Sequence, residues 1–396
     1  MPKGDIAIHP ALVYKFRGKT APDILLTHVR QQCAKGGTQM ASADSRTRWL
    51  LVTTDTSAVL ARLAKEAASP RQDFIELSKA LDARVLSYSD LPNEGGLTRL
   101  LRRTLGDAAA LAWAGFRRGG SFYFTTAENT GMALAFLLRL RRRPTVHVMI
   151  GHRISAGKKR FFWKYLRLFD RISAMICYSR AQADFAHTAL GVPMHKLHRI
   201  DFQVDSAFYT PGNARDRDRG LLSVGRELRD YPVLFDAVQG TDTQVTVVAS
   251  SPWSRRGDQT RNRAIPDNVT LRKGLSSEEL REAYRSAVLV VVPLQNVDSP
   301  AGVTSILEAQ ACGRPVIVSD SPGICDSIEP GQTALTVPCG DAPALRTAVA
   351  QLLADPERAA SLGREGRAAV LRGKTIEHFI DRIERICRDA EARERP

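Results

Sequence analysis

The sequence predicts an α/β protein in which two doubly wound parallel sheets face each other across a cleft. From Trp49 onward, apolar runs of strand length alternate with segments of helical period, and this alternation is typical of stacked βαβ units. A chain of 396 residues also exceeds one ordinary core at roughly 150 residues per domain. Ligands of such sheets bind at the carboxyl ends of the strands, so we expect the functional site in the cleft.

The predicted strands fall into two series separated by a polar segment, residues 205–220, which contains Pro and Gly and is the expected hinge. We therefore expect a first domain at 47–207, a second at 208–374 and a C-terminal helix at 375–396 that packs on one or both domains, with residues 1–46 unassigned. Helices are expected at Thr98–Phe116 and Gly131–Arg141. The predicted strands are Trp49–Thr53, Arg84–Ser87, Ser121–Thr125, Thr145–Ile150, Ala174–Cys177, Leu221–Val224, Gln244–Ala249, Val288–Leu294 and Pro315–Ser319.

Composition narrows the class of protein. Hydrophobic residues make up 43% and charged residues 25%, which is the mix of a folded chain. No apolar run approaches the roughly 18 residues of a membrane span, and the start at Met1 lacks the apolar core of a leader. The six cysteines form no C-x-x-C pair. We expect a cytoplasmic protein with reduced thiols and no metal.

The positive charge of the chain lies in one half. Residues 1–205 hold 32 Lys and Arg against 16 Asp and Glu, whereas residues 206–396 hold 25 against 26. This asymmetry indicates an anionic partner for the first half, either a membrane surface, a phosphorylated lipid or a nucleic acid. A generically basic surface that keeps the chain in solution is the alternative.

The stretch from Ser299 to Val318 is the most specific motif. A loop leads into a short helix whose first residues, Gly302, Val303, Thr304 and Ser305, are expected to direct their N–H groups and the helix dipole at a diphosphate. Glu308 lies about one and a half turns into this helix, where its carboxylate can accept hydrogen bonds from ribose hydroxyls. A solvated helix carboxylate is the alternative.

A second constellation follows the predicted strand Leu221–Val224. Gly225 allows a tight turn, and Arg226 presents a guanidinium suited to phosphate oxygens, with Arg229 as a second cation. These charges would stabilise a departing diphosphate. By itself, a Gly-Arg pair after a strand also fits an ordinary surface arginine.

Both stretches, with the segments Ser319–Gly323 and Gly331–Pro338, resemble the donor-binding signature of glycosyltransferase family four. The resemblance implies the GT-B fold, with two Rossmann-like domains, and a retaining transferase that needs no metal or other cofactor. It implies transfer of a sugar from a nucleotide-sugar, a UDP- or GDP-sugar, to an acceptor such as a lipid-linked or cell-envelope glycan precursor. Glu308 matches the glutamate that holds the ribose in this family.

One position departs from the family pattern. The family carries a second glutamate, which contacts the transferred sugar, at the position of Pro300, eight residues before Glu308. Asp298 can replace it if the loop bulges. The departure leaves open a protein of the same fold that binds nucleotide-sugars without transferring them.

On the acceptor side, His152 follows the strand Thr145–Ile150 and is expected at a carboxyl end that faces the cleft, whereas His147 is expected in the core. The resemblance places a histidine there, hydrogen-bonded to the donor sugar. The segment 157–171 combines cations with aromatic side chains. It fits either peripheral attachment to an anionic membrane or packing on the sheet. A nucleic-acid-binding protein is the lower-ranked alternative, because no nucleic-acid motif accompanies the charge.

Overall fold

The computed structural model describes residues 47–154, 163, 166–212, 220–249, 265–324 and 326–394. These residues form two sheets of six parallel strands each. The first sheet contains β1 (Arg48–Val52), β2 (Arg84–Ser87), β3 (Phe122–Thr125), β4 (Val146–Gly151), β5 (Ala174–Cys177) and β6 (Leu197–Arg199). The second contains β7 (Leu221–Val224), β8 (Val245–Val248), β9 (Val269–Arg272), β10 (Leu289–Val292), β11 (Val316–Ser319) and β12 (Leu335–Val337).

Helices cover the faces of both sheets. In the first half they are α1 (Thr56–Leu63), α2 (Asp73–Ala80), α3 (Leu97–Leu105), α4 (Asp107–Arg118), α5 (Glu128–Leu138) and α6 (Arg180–Thr188). In the second half they are α7 (Tyr231–Val238), α8 (Ser277–Ser286), α9 (Val303–Ala311), α10 (Ala342–Ala354), α11 (Pro356–Gly373) and α12 (Ile376–Glu394). The predicted α/β class with two parallel sheets is confirmed.

Each sheet reverses its strand order once. The orders are β2-β1-β3-β4-β5-β6 and β12-β11-β10-β7-β8-β9. The reversal therefore lies between β1 and β3 in the first sheet and between β7 and β10 in the second. A crevice opens at the carboxyl ends of the strands at such a reversal, and ligands of open α/β sheets bind there.

Three strands were not predicted, namely β6, β9 and β12. All three lie at sheet edges, where one side meets solvent and the apolar run is shortened or interrupted by polar residues, as in Leu197–Arg199. The helix predicted at Thr98–Phe116 is divided into α3 and α4 by Gly106, whose φ is +88°. Helix α8 begins with a capping box, because the Ser276 hydroxyl accepts from the Glu279 N–H and the Glu279 carboxylate accepts from Ser276.

The last helix, α12, returns to the first sheet. Its apolar side chains Phe379, Ile383 and Ile386 join the same core cluster as β1, β3, β4 and β5, although the whole second sheet precedes it in the chain. The two crossings between the sheets run side by side, since Val204 and Thr375 form a parallel bridge.

The start of the predicted hinge is anchored to the first domain through Asp205, whereas Phe208 and Tyr209 pack in the core of the second sheet. The Arg71 guanidinium contacts the Asp205 carboxylate at 2.7 Å and Glu377 at 2.6 Å. Burial disfavours the charged form of Asp205, but hydrogen bonds from Arg71 outweigh it and lower the pKa of this carboxyl. Hinge residues 213–219 and the N-terminal segment 1–46 lie outside the described residues.

The carboxyl edges of the two sheets approach each other. The Arg180 N–H, just after β5, donates to the Asp326 carboxylate, beyond β11, at 2.6 Å. At another point the Glu66 carboxylate accepts from the Ser277 N–H at 3.3 Å. In the described ranges no helix combines the length and the apolar character that a bilayer crossing requires.

Candidate functional site

The predicted donor residues converge at the reversal between β7 and β10. The turn after β7 pairs with the end of β10, because Asp230 N–H donates to Pro293 O at 3.0 Å and Gln295 N–H donates to Leu228 O at 3.1 Å. This pairing brings Gly225 and Arg226 beside the loop that leads into α9. Two stretches separated by more than sixty residues in sequence thus lie together at the reversal, where a crevice is expected.

The Arg229 side chain hydrogen-bonds to both stretches. Its side chain is 4% exposed. Nε donates to Val224 O at 3.0 Å, Nη1 to Glu227 O at 3.1 Å and Nη2 to Ser305 Oγ at 3.0 Å. Burial lowers the pKa of this guanidinium. The sequence indicated Arg229 as a second phosphate cation. That direct contact stays a prediction, and the structure shows a guanidinium occupied by the loops around it.

Two glycines make room for this guanidinium. Gly225 has a φ of +112°, and a Cβ there would lie 2.3 Å from Arg229 Nη2. Gly302 has a φ of +85°, and a Cβ there would lie 3.0 Å from a Leu294 methyl and 3.4 Å from Arg229 Nη1. Left-handed backbone and close approach both require glycine at these positions. The buried Arg229 therefore explains Gly225, whereas Leu294 and Val292, at 3.0 and 3.1 Å, are the closest contacts at Gly302.

The amino end of α9 opens on the same crevice. Gly302 is the N-cap and supplies no side-chain cap, and among the described residues no acceptor is recorded for the N–H groups of Val303, Thr304 and Ser305. Thr304 is exposed, whereas Ser305 is buried and donates its hydroxyl to Val224 O. Unpaired N–H groups and the helix dipole form an anion-binding end.

Arg226 has an unsatisfied donor at this point. It follows Gly225 and is half-buried, and its Nε is shielded from solvent without a hydrogen-bond partner among the described residues. A buried guanidinium nitrogen without a partner costs free energy, which a phosphate oxygen would recover.

The loop before α9 is tied to the segment that follows β11. Val297 N–H donates to Ser321 Oγ, and the Gly323 N–H donates to Val297 O at 2.9 Å. A Cβ on Gly323 would lie 1.9 Å from Ser299 O, so only glycine fits there. Asp298 is exposed in this loop, two residues before the half-buried Pro300. Whether Asp298 replaces the missing glutamate stays a prediction.

Glu308 is half-buried on α9 and is held by phenols. The Tyr284 hydroxyl donates to Glu308 Oε2 at 2.8 Å, and the Tyr209 phenol lies close to the same carboxylate. Burial raises the pKa of Glu308 to about 7, although the two phenols and the Arg229 charge oppose that rise. The sequence placed Glu308 in the site but did not identify its partners.

On the other side, His152 lies just after β4 and is held by its neighbours. Its N–H donates to the Glu128 carboxylate, and its carbonyl accepts from Gln182, each at 2.9 Å. The ring Nε2 lies 2.9 Å from Thr126 O. A carbonyl can only accept, so we assign the proton to Nε2, which leaves Nδ1 as an acceptor in the neutral ring. The Tyr178 ring lies 5.3 Å away.

His147 lies in the core, as expected. It is 0% exposed, and burial lowers its pKa to about 4. Most of the basic aromatic segment 157–171 lies outside the described residues, which include only 163 and 166–171 of it. Within the described ranges, no cluster of His, Cys, Asp or Glu could hold a metal ion.

Known structures share this architecture. Sucrose-phosphate synthase from Thermosynechococcus elongatus superimposes with a TM-score of 0.68 at 20% identity, covering 88% of this chain and all of that one. The Anabaena protein Alr3699/HepE in complex with UDP-glucose superimposes with a TM-score of 0.64 at 15% identity, again over 88% of this chain and all of that one. The chain has the GT-B fold, which confirms the predicted fold class.

A family match falls in the second half of the chain. Residues 228–369 match the family of glycosyl transferases group 1, which confirms the predicted resemblance. The GDP-mannose-dependent alpha-(1-6)-phosphatidylinositol monomannoside mannosyltransferase of Mycolicibacterium smegmatis is 31% identical over 131 residues, which are 32% of this chain and 34% of that protein. The chain spans about a third of the length of this relative.

Proposed function

We propose that the chain is a glycosyltransferase that takes its donor, a UDP- or GDP-sugar, from the crevice between β7 and β10. The observation that carries the proposal is the unpartnered Arg226 Nε beside the open amino end of α9. A diphosphate fits both groups, because it supplies acceptors for the guanidinium and for the helix N–H groups. The GDP-mannose and UDP-glucose named for the relative and the neighbour support this donor class.

Each proposed site residue has a distinct task. Arg226 and the N–H groups of Val303, Thr304 and Ser305 bind the diphosphate and stabilise its charge as it leaves. Arg229 orders the turn at Gly225 and the loop at Gly302 from beneath. Glu308 binds the ribose hydroxyls, and Asp298 contacts the transferred sugar from its exposed loop.

His152 acts from the first domain. Glu128 and Gln182 fix its backbone, and the bond to Thr126 O orients its ring. Nδ1 then accepts a hydroxyl of the donor sugar. Under the retaining mechanism the acceptor attacks the face from which the diphosphate departs. The site accelerates this transfer by positioning the reactants and by stabilising the charge of the leaving group.

We also propose the domain limits 47–207 and 208–374, with the final helix from 375. The strands β1–β6 and β7–β12 each stay within one of these ranges. The acceptor, a glycan or lipid-linked precursor, binds to the first domain in this proposal.

Peripheral attachment of the first domain to an anionic membrane is part of the proposal, and helix α3 supports it. Leu100 is 54% exposed and Leu105 46% exposed. Arg103 and Arg102 each lie one helical turn from one of these leucines, and both arginines are exposed. Apolar side chains among arginines suit an interface of acyl chains and anionic head groups.

Binding and transfer test the proposal together. We expect UDP- or GDP-sugars to raise the unfolding temperature, because ligand at about 100 times its Kd adds about 2.7 kcal/mol of stability. The bound donor should then be hydrolysed or transferred to lipid-linked acceptors, and His152→Ala should lower turnover while leaving most of the donor-induced rise in unfolding temperature. Binding without turnover would instead support a catalytically impaired nucleotide-sugar-binding protein, consistent with Pro300. No shift with any nucleotide-sugar would refute the donor site.

A further inference from the structure

Two buried phenols converge on Glu308 from different parts of the second domain. Tyr284 comes from α8 and is 0% exposed, whereas Tyr209 comes from the connection between the sheets and is 4% exposed. Their rings meet edge to face with centroids 6.0 Å apart. The Tyr284 hydroxyl donates to the carboxylate at 2.8 Å, and the Tyr209 phenol lies close to the same group. An ionised carboxylate is the stronger acceptor for such buried phenols.

The other charged and titratable groups near Glu308 are few among the described residues. Arg229 acts on the carboxylate from the turn after β7, and Cys312 lies near it at the end of α9. Burial raises the pKa of the Cys312 thiol to about 12, so this thiol stays neutral at physiological pH. The two phenols and Arg229 therefore favour the ionised form of Glu308, whereas burial disfavours it.

We propose that Tyr284 and Tyr209 are positioning residues for nucleoside recognition, holding the Glu308 carboxylate ionised and directed at the ribose hydroxyls. The inference rests on the proposed function, and it adds two residues that the sequence motif did not indicate. An ionised carboxylate offers about four lone-pair sites. Two phenols occupy part of them, and the remainder accept from the ribose.

This arrangement predicts a pH dependence of donor binding with a definite sign. The ribose hydroxyls need an acceptor, so binding favours the ionised form and weakens as pH falls through about 7, the pKa of Glu308. One linked proton limits the slope to about tenfold in affinity per pH unit. Replacing one of these tyrosines by phenylalanine removes a group that favours ionised Glu308. The pH below which donor binding weakens, the acid limb of the binding profile, should therefore rise.

The experiment measures the affinity of the full chain for UDP and for GDP by calorimetry between pH 5.5 and 9. We expect Tyr284→Phe to weaken binding about tenfold at pH 7, the order of a hydrogen bond to a charged group, and to recover most of that loss at pH 9. Tyr209→Phe should act in the same direction. In turnover assays the loss should appear in the KM for the donor rather than in kcat.

Two further variants separate positioning from mere packing. Glu308→Gln cannot titrate, so its weak binding should show no acid limb near pH 7. Tyr123→Phe is the matched control, because Tyr123 is also 0% exposed and hydrogen-bonded, to Gly115 O at 3.3 Å, but lies in the first sheet. It should bind as the unaltered protein does.

The outcomes are distinguishable. If the unaltered protein binds UDP or GDP and Tyr284→Phe has the same affinity and the same acid limb, the positioning role is refuted. A loss that is equal at every pH would refute it too, since it would show a packing defect. If the unaltered protein binds neither nucleotide at any pH, the proposed function fails and this inference fails with it.

Discussion

The two halves of the molecule differ in where their positive charge lies. The first 205 residues hold 32 Lys and Arg against 16 Asp and Glu, yet the residue predicted to act there is a single histidine. The second half is nearly neutral overall, yet its crevice contains a buried arginine, a shielded guanidinium nitrogen and a helix amino end. Net charge therefore predicts which half would attract an anionic partner, whereas local geometry indicates where a phosphate could bind.

The largest expected effect concerns the shielded guanidinium of Arg226. Arg226→Ala should lower kcat/KM for the donor about a hundredfold, as expected for loss of a group that stabilises charge on the leaving diphosphate. Arg226→Lys should restore only part of it, because an ammonium cannot form the paired contacts of a guanidinium. Steady-state kinetics measure both.

Arg388→Ala is the control for this prediction, because Arg388 is an exposed arginine on the first-domain side, paired with Glu384 on α12. We expect unchanged kinetics for it. Equal activity of Arg226→Ala and the unaltered protein would remove the main distinction between the two halves, since the charge in the crevice would then have no role in turnover.

A smaller effect is expected from the glycine that accommodates Arg229. Gly225→Ala should lower the free energy of unfolding by about 2 kcal/mol more than Gly274→Ala. Both glycines have positive φ, but a Cβ at position 274 meets nothing within 4 Å, whereas one at 225 collides with the Arg229 guanidinium. Urea unfolding gives the difference, and equal values would show that the guanidinium moves aside without cost.

The smallest expected effect concerns the outer surface of the first domain. Replacing both Leu100 and Leu105 by Ser should weaken binding to phosphatidylglycerol-containing vesicles about three- to tenfold, because less apolar surface is buried at the interface. Vesicle sedimentation measures it. Leu371→Ser is the matched control, since Leu371 is 47% exposed on α11 in the second domain.

Binding of the unaltered protein to vesicles should also fall as salt is raised, because head-group attraction is screened. Retention on RNA without vesicle binding would contradict the membrane assignment and would favour a nucleic-acid partner for the basic half.

The sequence predicted those parts of the fold that depend on local pattern. Buried central strands such as β10 have uninterrupted apolar residues, whereas the edge strands β6, β9 and β12 lack that signal. The turn at Gly225 and the helix with Glu308 were visible as motifs. The contacts of Arg229 with Ser305 and of Glu308 with Tyr209 and Tyr284 join residues distant in sequence, so no local pattern could reveal them.

The return of α12 to the first sheet has a consequence for biosynthesis. Side chains of α12, among them Phe379, Ile383 and Ile386, complete a core whose members outside this helix lie before residue 203 in the chain. Domains fold as units during translation, and exposed apolar surface favours aggregation. The first domain therefore exposes this apolar face until α12 has been synthesised, nearly two hundred residues later, so its core closes only after the second sheet has been made.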